Sequence, residues 1–478
     1  MTGVQTCALP ISPPQRPGPL VTDFRSGTPK NGKVIYNVIP REPFKLPDGK
    51  MRLPAPPQQP GQPPQVNPLM MFLAPLLMVT FMLVGQLLVK RFSTTGATSL
   101  PPYAMIPMAL MALGFPLANF FSTLSQKKKY KKAMAQREEN YKNALLAVEK
   151  EIVDTVAVQR ETMEREFPNA EQTQRIGLGR GQSPRLWWRR PGDPDFLMLR
   201  VGLGDSSPSF EIELPNINQE NEPLAKLPVE LKEKFITVPH IPTLVDLKRV
   251  GSLVINSPDR VLTLRFARRV VVDLCVHQSP NDLSLFLVSD LPRAGETWEW
   301  MRWFPHTGSF DGEYSGRNLL MDSDRINAFL DNLKQIMTDR SAANRNQSEP
   351  NLAAMMPAIV VFIDDKGTIR QHPDVSRLAG EGYLYGIYLV FISSGGVPRT
   401  TRSRVEISSQ DKMTYLETFE ALGTGQRKTS YPELLTGDQS IAVGRALSSL
   451  EVAGNTRTET LPSVVRISDI LQIGRAHV

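Results

Sequence analysis

Between residues 253 and 450, short apolar runs alternate with segments of helical spacing, and few folds accommodate that alternation. Runs at 253–256, 283–289, 358–363 and 385–392 read as strands, while 259–277, 296–303, 323–337 and 438–450 read as helices. The run Ala358–Ile363 is apolar at every position. A strand takes that composition when both of its faces are covered. The pattern predicts a mostly parallel sheet with helices on both sides. Two β-like runs at 196–201 and 210–214 precede it, and a short strand is predicted within 33–39.

The 478 residues leave room for two to four domains. Two Cys exclude a disulfide scaffold and a Cys-rich zinc domain, and they suggest a reducing compartment. Five scattered His without paired spacing argue against a metal enzyme, so no metal ligand is assigned. A net charge of +7 is modest for the length and does not suggest nucleic acid. The average hides a cluster, Lys127, Lys128, Lys129, Lys131 and Lys132. Fifteen of the 41 prolines lie before residue 68, so 12–67 reads as an extended Pro-rich segment. The first eleven residues and residues 473–478 read as translated sequencing-adapter scars and are left out of fold reasoning.

Residues 68–89 and 104–124 are almost free of charge and about long enough to cross a bilayer. The expectation is a transmembrane helix pair. Lysine and arginine cluster outside the pair, which predicts a multi-pass membrane protein with both termini cytoplasmic. From 126 to 167, Tyr130, Met134, Tyr141, Leu145, Val148, Ile152, Val156 and Met163 recur at spacings of three, four and seven. This predicts a helix ~60 Å long that Pro168 ends. It would form a stalk, joined through a flexible stretch at 177–183.

The chemistry-bearing stretch is Ala358–Ile363 followed by Asp364 and Asp365. A buried strand ending in two carboxylates has the form of a Walker B element, where acids hold Mg²⁺ beside a nucleotide. Such a site also needs a G-x-x-x-x-G-K-[ST] loop, and the chain contains none. The nearest decoy, GTGQRKT at 423–429, places Arg427 where a glycine is required. Residues 254–260 have the strand–loop–helix layout of a phosphate loop but lack its glycines and lysine, and Pro258 removes a backbone donor. Asp364 and Asp365 are therefore the candidate remnant of a nucleotide site. No catalytic residue is assigned.

Three further stretches carry a resemblance. Residues 185–202 (RLWWRRPGDPDFLMLRVG), 277–283 (HQSPNDL) and 298–307 (WEWMRWFPHT) resemble the signature segments of the type VII secretion ATPases. These form the EccC/EssC branch of the FtsK/SpoIIIE family. The resemblance covers about 17–472. It implies a membrane anchor at 68–124, a helical stalk and linker at 125–183, and a degenerate P-loop-NTPase-like α/β domain at 184–472. It also implies that the authentic ATP- and Mg-using motor domains follow that point. ATP-driven export of small helical-hairpin proteins of the WXG type is the implied activity. The implied partners are the cytoplasmic membrane, other membrane subunits of the secretion complex and further copies of the chain itself, a homo-oligomer that the resemblance sets at six. No nucleic acid is expected. This stretch alone is expected to be inactive.

Trp187, Trp188 and His306 read as packing residues. Arg189, Arg190, Asp193 and Asp195 read as a polar network fixing the stalk to the domain. The alternatives are a DNA translocase of the wider family and a non-enzymatic membrane scaffold module.

Overall fold

A computed structural model describes residues 34–38, 41, 44–61, 106–216, 222–308, 318–344, 355–393, 401–410, 413–420 and 427–452, with isolated positions between 73 and 91. Side chains of the long helix are described from Ala118 onward. In chain order the strands are β1 Val34–Tyr36, β2 Lys50–Arg52, β3 Met198–Ser206, β4 Glu211–Glu213, β5 Val238–Asp246, β6 Ser252–Asn256 and β7 Leu283–Val288. They continue with β8 Leu319–Leu320, β9 Ala358–Ile363, β10 Ile387–Ser393, β11 Ser403–Gln410, β12 Met413–Glu420, β13 Arg427–Pro432 and β14 Leu450–Val452. The chain divides into two compact units. One holds Met1–Leu46, Arg160–Ser207 and Thr237–Val478, the other Pro47–Gln159 and Pro208–Ile236.

The first unit is built on a ten-stranded sheet of order β5-β3-β13-β12-β11-β6-β10-β9-β7-β8. From β11 to β8 every pairing is parallel. From β11 back to β5 every pairing is antiparallel. The mostly parallel expectation therefore holds for six strands, and the sheet as a whole is mixed. Of the antiparallel extension the sequence predicts only β3, through the run at 196–201, because β11–β13 carry Ser, Thr, Arg and Glu between their apolar positions.

Alternation along the parallel strands sorts side chains between two cores. Ala358, Val360 and Phe362 of β9 face one, packed by Phe266, Val270 and Leu274 of helix Arg260–His277 and by Val443 and Leu447 of helix Gly437–Ser448. Ile359, Val361 and Ile363 face the other, packed by Ile326, Leu330 and Leu333 of helix Ser323–Asn344 and by Val375 and Leu378 of helix Pro373–Glu381. Covering both faces is what lets β9 be apolar throughout and β10 apolar up to Ser393.

The second unit contains most of the long helix Ile106–Glu166, the parallel pair β2–β4 and the helix Lys226–Lys234. Tyr141, Leu145, Ile152 and Val156 are its buried apolar positions there, at the spacing the sequence predicts. Prolyl carbonyls find partners on that helix. Arg137 Nε donates to the Pro57 carbonyl at 2.7 Å and Tyr141 Oη to that of Pro54 at 3.0 Å. Leu53 is buried. This part of the Pro-rich segment is thus held along the helix, because proline lacks a donor but keeps an acceptor.

The expected transmembrane pair is not what the structure shows. Among the described residues, no helix is long and apolar enough to cross a membrane. Most of 68–89 lies outside the described residues. The second run belongs to the helix that continues without a break to Glu166. From Ala118 its described side chains include Asn119, Ser122, Thr123 and Ser125, and then the lysine cluster. Among the described residues that helix supplies no candidate span. The expectation of a membrane-anchored, multi-pass protein with both termini cytoplasmic fails with it.

Candidate functional site

In an open α/β sheet, ligands bind beyond the carboxyl ends of the strands, where the strand order reverses. Here that point lies around β6, β10 and β9. The sequence-predicted acid pair falls there, immediately after β9, and β10 separates it from the loop that follows β6.

That loop is closed by its own residues. The Asp259 carboxylate accepts from the Val261 N–H at 2.8 Å and caps helix Arg260–His277. Ser257 Oγ accepts from the Asp259 N–H at 3.2 Å. The helix start that would meet a phosphate thus already carries an anion.

Each acid is engaged as well. The Asp364 side chain is buried, and its Oδ2 takes the indole N–H of Trp298 at 2.6 Å. The same oxygen pairs with Arg260. The Asp364 backbone is fixed too: its N–H donates to Val288 at 3.0 Å and its carbonyl accepts from Ser289 Oγ at 2.6 Å. Asp365 is held by Arg370, whose backbone N–H and Nε donate to it at 2.9 and 2.6 Å. Arg370 Nη1 also reaches Ser393 Oγ at the end of β10, 3.1 Å away. Two guanidiniums therefore occupy the ground a metal and phosphates would need. With Asp259 capping the helix and no lysine-bearing glycine loop, this donor set does not fit a Mg-nucleotide. Arg260 and Trp298 stand in quoted sequence stretches, but only the strand order brings them to Asp364. Arg370 had no signal. The decoy loop at 423–426 lies outside the described residues, and Lys428 and Thr429 belong to β13.

The other singled-out residues gather elsewhere in the same unit, around the end of the long helix. Three consecutive carbonyls there each accept from a different buried arginine. Arg189 Nη2 donates to Glu166 at 3.0 Å, Arg200 Nη1 to Phe167 at 2.6 Å and Arg269 Nη2 to Pro168 at 3.2 Å. Cations at a helix C-terminus satisfy orphan acceptors and complement the dipole. Each arginine has an acid. Arg189 Nε lies 3.0 Å from Asp195, an ion pair whose N–H is not aimed for a hydrogen bond. Arg200 pairs with Glu433 at 2.6 Å and Arg269 with Asp273 at 2.8 Å. Burial lowers the Arg189 pKa, and Asp273 and Asp195 work against that shift. Arg41 joins from the N-terminal segment, pairing with Asp195 and Asp193. Arg190 is exposed and meets Asp193 through its backbone: its N–H donates to the Asp193 carboxylate and its carbonyl accepts from the Asp193 N–H.

Trp187 is fully buried, and its indole N–H donates to the Cys275 carbonyl at 2.9 Å. The guanidiniums of Arg41 and Arg185 lie over the Trp188 ring, 4.7 and 4.6 Å from its centre. His306 is buried with Nε2 2.8 Å from the Gln278 carbonyl.

Burial pushes the His306 imidazole from 6.5 down to about 4. The unfolded chain takes up this proton near pH 6.5 and the folded chain only near pH 4. Stability is therefore full above 6.5 and lost as pH falls from there towards 4. At ~1.4 kcal/mol per unit the loss reaches about 3 kcal/mol. His277, buried and likewise lowered, acts in the same direction. Urea midpoints at pH 7.5 and 4.5 should differ less in His306→Gln than in the parent, and an unchanged difference would contradict this account.

No protein-family model matches the chain. The Type VII secretion system protein EssC of Staphylococcus aureus is 25% identical over 311 residues, covering 64% of this chain and 20% of that protein. The ESX secretion system protein EccC of Geobacillus thermodenitrificans is 22% identical over 372 residues, covering 75% and 23%. The chain is a relative of the EssC/EccC type VII secretion proteins. It spans about a fifth of the length of these curated relatives. Among solved structures, EssC (ATPases 2 and 3) from Geobacillus thermodenitrificans overlaps with a TM-score of 0.34 at 12% identity, over 56% of this chain and 50% of that one. The cytoplasmic domain of the Thermomonospora curvata type VII secretion ATPase EccC gives 0.35 at 14%, over 55% and 32%.

Proposed function

We propose that this chain supplies an ATPase-like, non-hydrolysing unit to a type VII secretion motor. In this reading the whole motor uses ATP and Mg²⁺ to export small helical-hairpin proteins. It works with other subunits of the secretion complex and as a homo-oligomer. The relationship to EssC and EccC supports the secretion role. One observation carries the non-hydrolysing part: both carboxylates after β9 are engaged by arginines in a chain without a phosphate loop. For such a unit, ordering and regulating partners is the remaining work.

Two measurements test this. The purified chain should show no Mg-ATP turnover, and Asp364→Asn should leave its titration with Mg-ATP unchanged. Turnover or Mg-ATP binding that Asp364→Asn abolishes would reject the non-hydrolysing reading. Deleting the gene in its host should stop export of small helical proteins. If their export continues at the parental rate, the secretion reading is wrong.

A further inference from the structure

Helix Arg260–His277 carries four arginines that differ in how their charge is met. Arg260 has Asp364 and Arg269 has Asp273. Arg265 and Arg268, one turn apart between them, have no ion pair among the described residues. Both are half-buried. The Nε atom of each is shut away from solvent with no hydrogen-bond partner. Burial lowers the Arg268 pKa and the neighbouring charge of Arg265 lowers it further, so the two guanidiniums repel each other at close range.

A third positive element lies against Arg268. A Cβ on Gly437 would sit 3.9 Å from Arg268 Cζ and 4.0 Å from its Nη2. Gly437 is the first residue of helix Gly437–Ser448, where the helix dipole is positive. The loop leading to it is pinned to the arginine-bearing helix, since the Leu435 N–H donates to the Arg265 carbonyl at 3.2 Å. Asp438 lies in the same first turn and pairs with neither arginine. Half-burying two unpaired like charges on one helix face, one of them against a helix start, is unfavourable unless an anion completes the set.

We propose that Arg265 and Arg268 form a binding site for a phosphate group beside the start of helix Gly437–Ser448. Guanidinium forks match phosphate oxygens in pairs. A phosphate dianion neutralises both arginines, where a single carboxylate would leave one unmet. The site is separate from the acid pair after β9 and does not depend on it. The phosphate could be free or the tail of a nucleotide, and the test distinguishes the two.

Calorimetric titration of the whole chain with inorganic phosphate, at ionic strength held constant with chloride, should give a Kd below about 1 mM. The Arg265→Gln, Arg268→Gln double variant should weaken it at least about tenfold, because each substitution removes a charge-assisted contact. The Arg265→Lys, Arg268→Lys variant keeps the charge without the fork and should fall between them. Titration with ATP in the absence of Mg²⁺ separates the sources. Binding more than about tenfold tighter than phosphate, and weakened by the same glutamines, identifies a nucleotide tail. Equal or weaker binding identifies free phosphate. No heat of binding at about 10 mM phosphate, or the same Kd in the glutamine variant with its circular dichroism unchanged, overturns the proposal. Should that variant fail to fold, the lysine variant decides: a Kd equal to the parent's also overturns it.

Discussion

Asp195→Ala should destabilise the α/β unit by about 3–5 kcal/mol, the cost of stranding a buried charge. Arg189, which it neutralises, is completely buried and also holds the Glu166 and Met198 carbonyls. The variant leaves that guanidinium without its nearest carboxylate. Asp193→Ala is the internal control. Its carboxylate is partly exposed and meets Arg41 and the Arg190 N–H, so it should cost about 1 kcal/mol or less. Equilibrium urea unfolding of the two variants against the parent makes the comparison. Equal losses at both positions would show that burial of the Arg189–Asp195 pair is not what matters.

Trp187→Ala should cost a similar amount, about 3–5 kcal/mol, by a different route. The indole has no exposed surface, meets Tyr36 edge-on with ring centres 5.5 Å apart, and satisfies the Cys275 carbonyl. Alanine removes the packing and the donor together. Trp187→Phe keeps most of the ring and loses the donor, so it should cost about 1–3 kcal/mol for the carbonyl left unpaired. A phenylalanine variant as unstable as the alanine one would mean that the hydrogen bond, and not the packed ring, dominates. The Trp187 indole meets Cys275 and Tyr36 and not Arg265, Arg268 or Gly437, so phosphate binding at the two arginines should survive in the folded fraction.

How far the sequence could be read depended on what each residue needed to know about its surroundings. Ala358–Ile363 was legible to the residue, because a strand covered on both faces needs no polar side. Helix Arg260–His277 was legible because its apolar residues keep a period and Asp259 caps it. Strand β5 was not, since Pro239 and Pro242 argue against a strand and are tolerated only because β5 lies at the sheet edge. The acid pair was found from its place after a buried strand. Arg260 was not, because ion pairing between residues 104 positions apart leaves no local pattern, and Arg370, five residues after Asp365, stands in no motif. The long helix shows the opposite error. A run of apolar letters at 104–124 suggested a bilayer span. The described helix has polar and cationic side chains within a few residues of it.

The three arginines at the end of the long helix also bear on load. A helix usually yields at its last turn, where free carbonyls let one residue after another peel away. Here the carbonyls of Glu166, Phe167 and Pro168 are grasped from three separate places: the turn at Arg189, strand β3 at Arg200 and helix Arg260–His277 at Arg269. A pull along the helix axis therefore strains all three together. They must give way nearly at once, so the helix end meets the sheet as a riveted joint and not as a zipper.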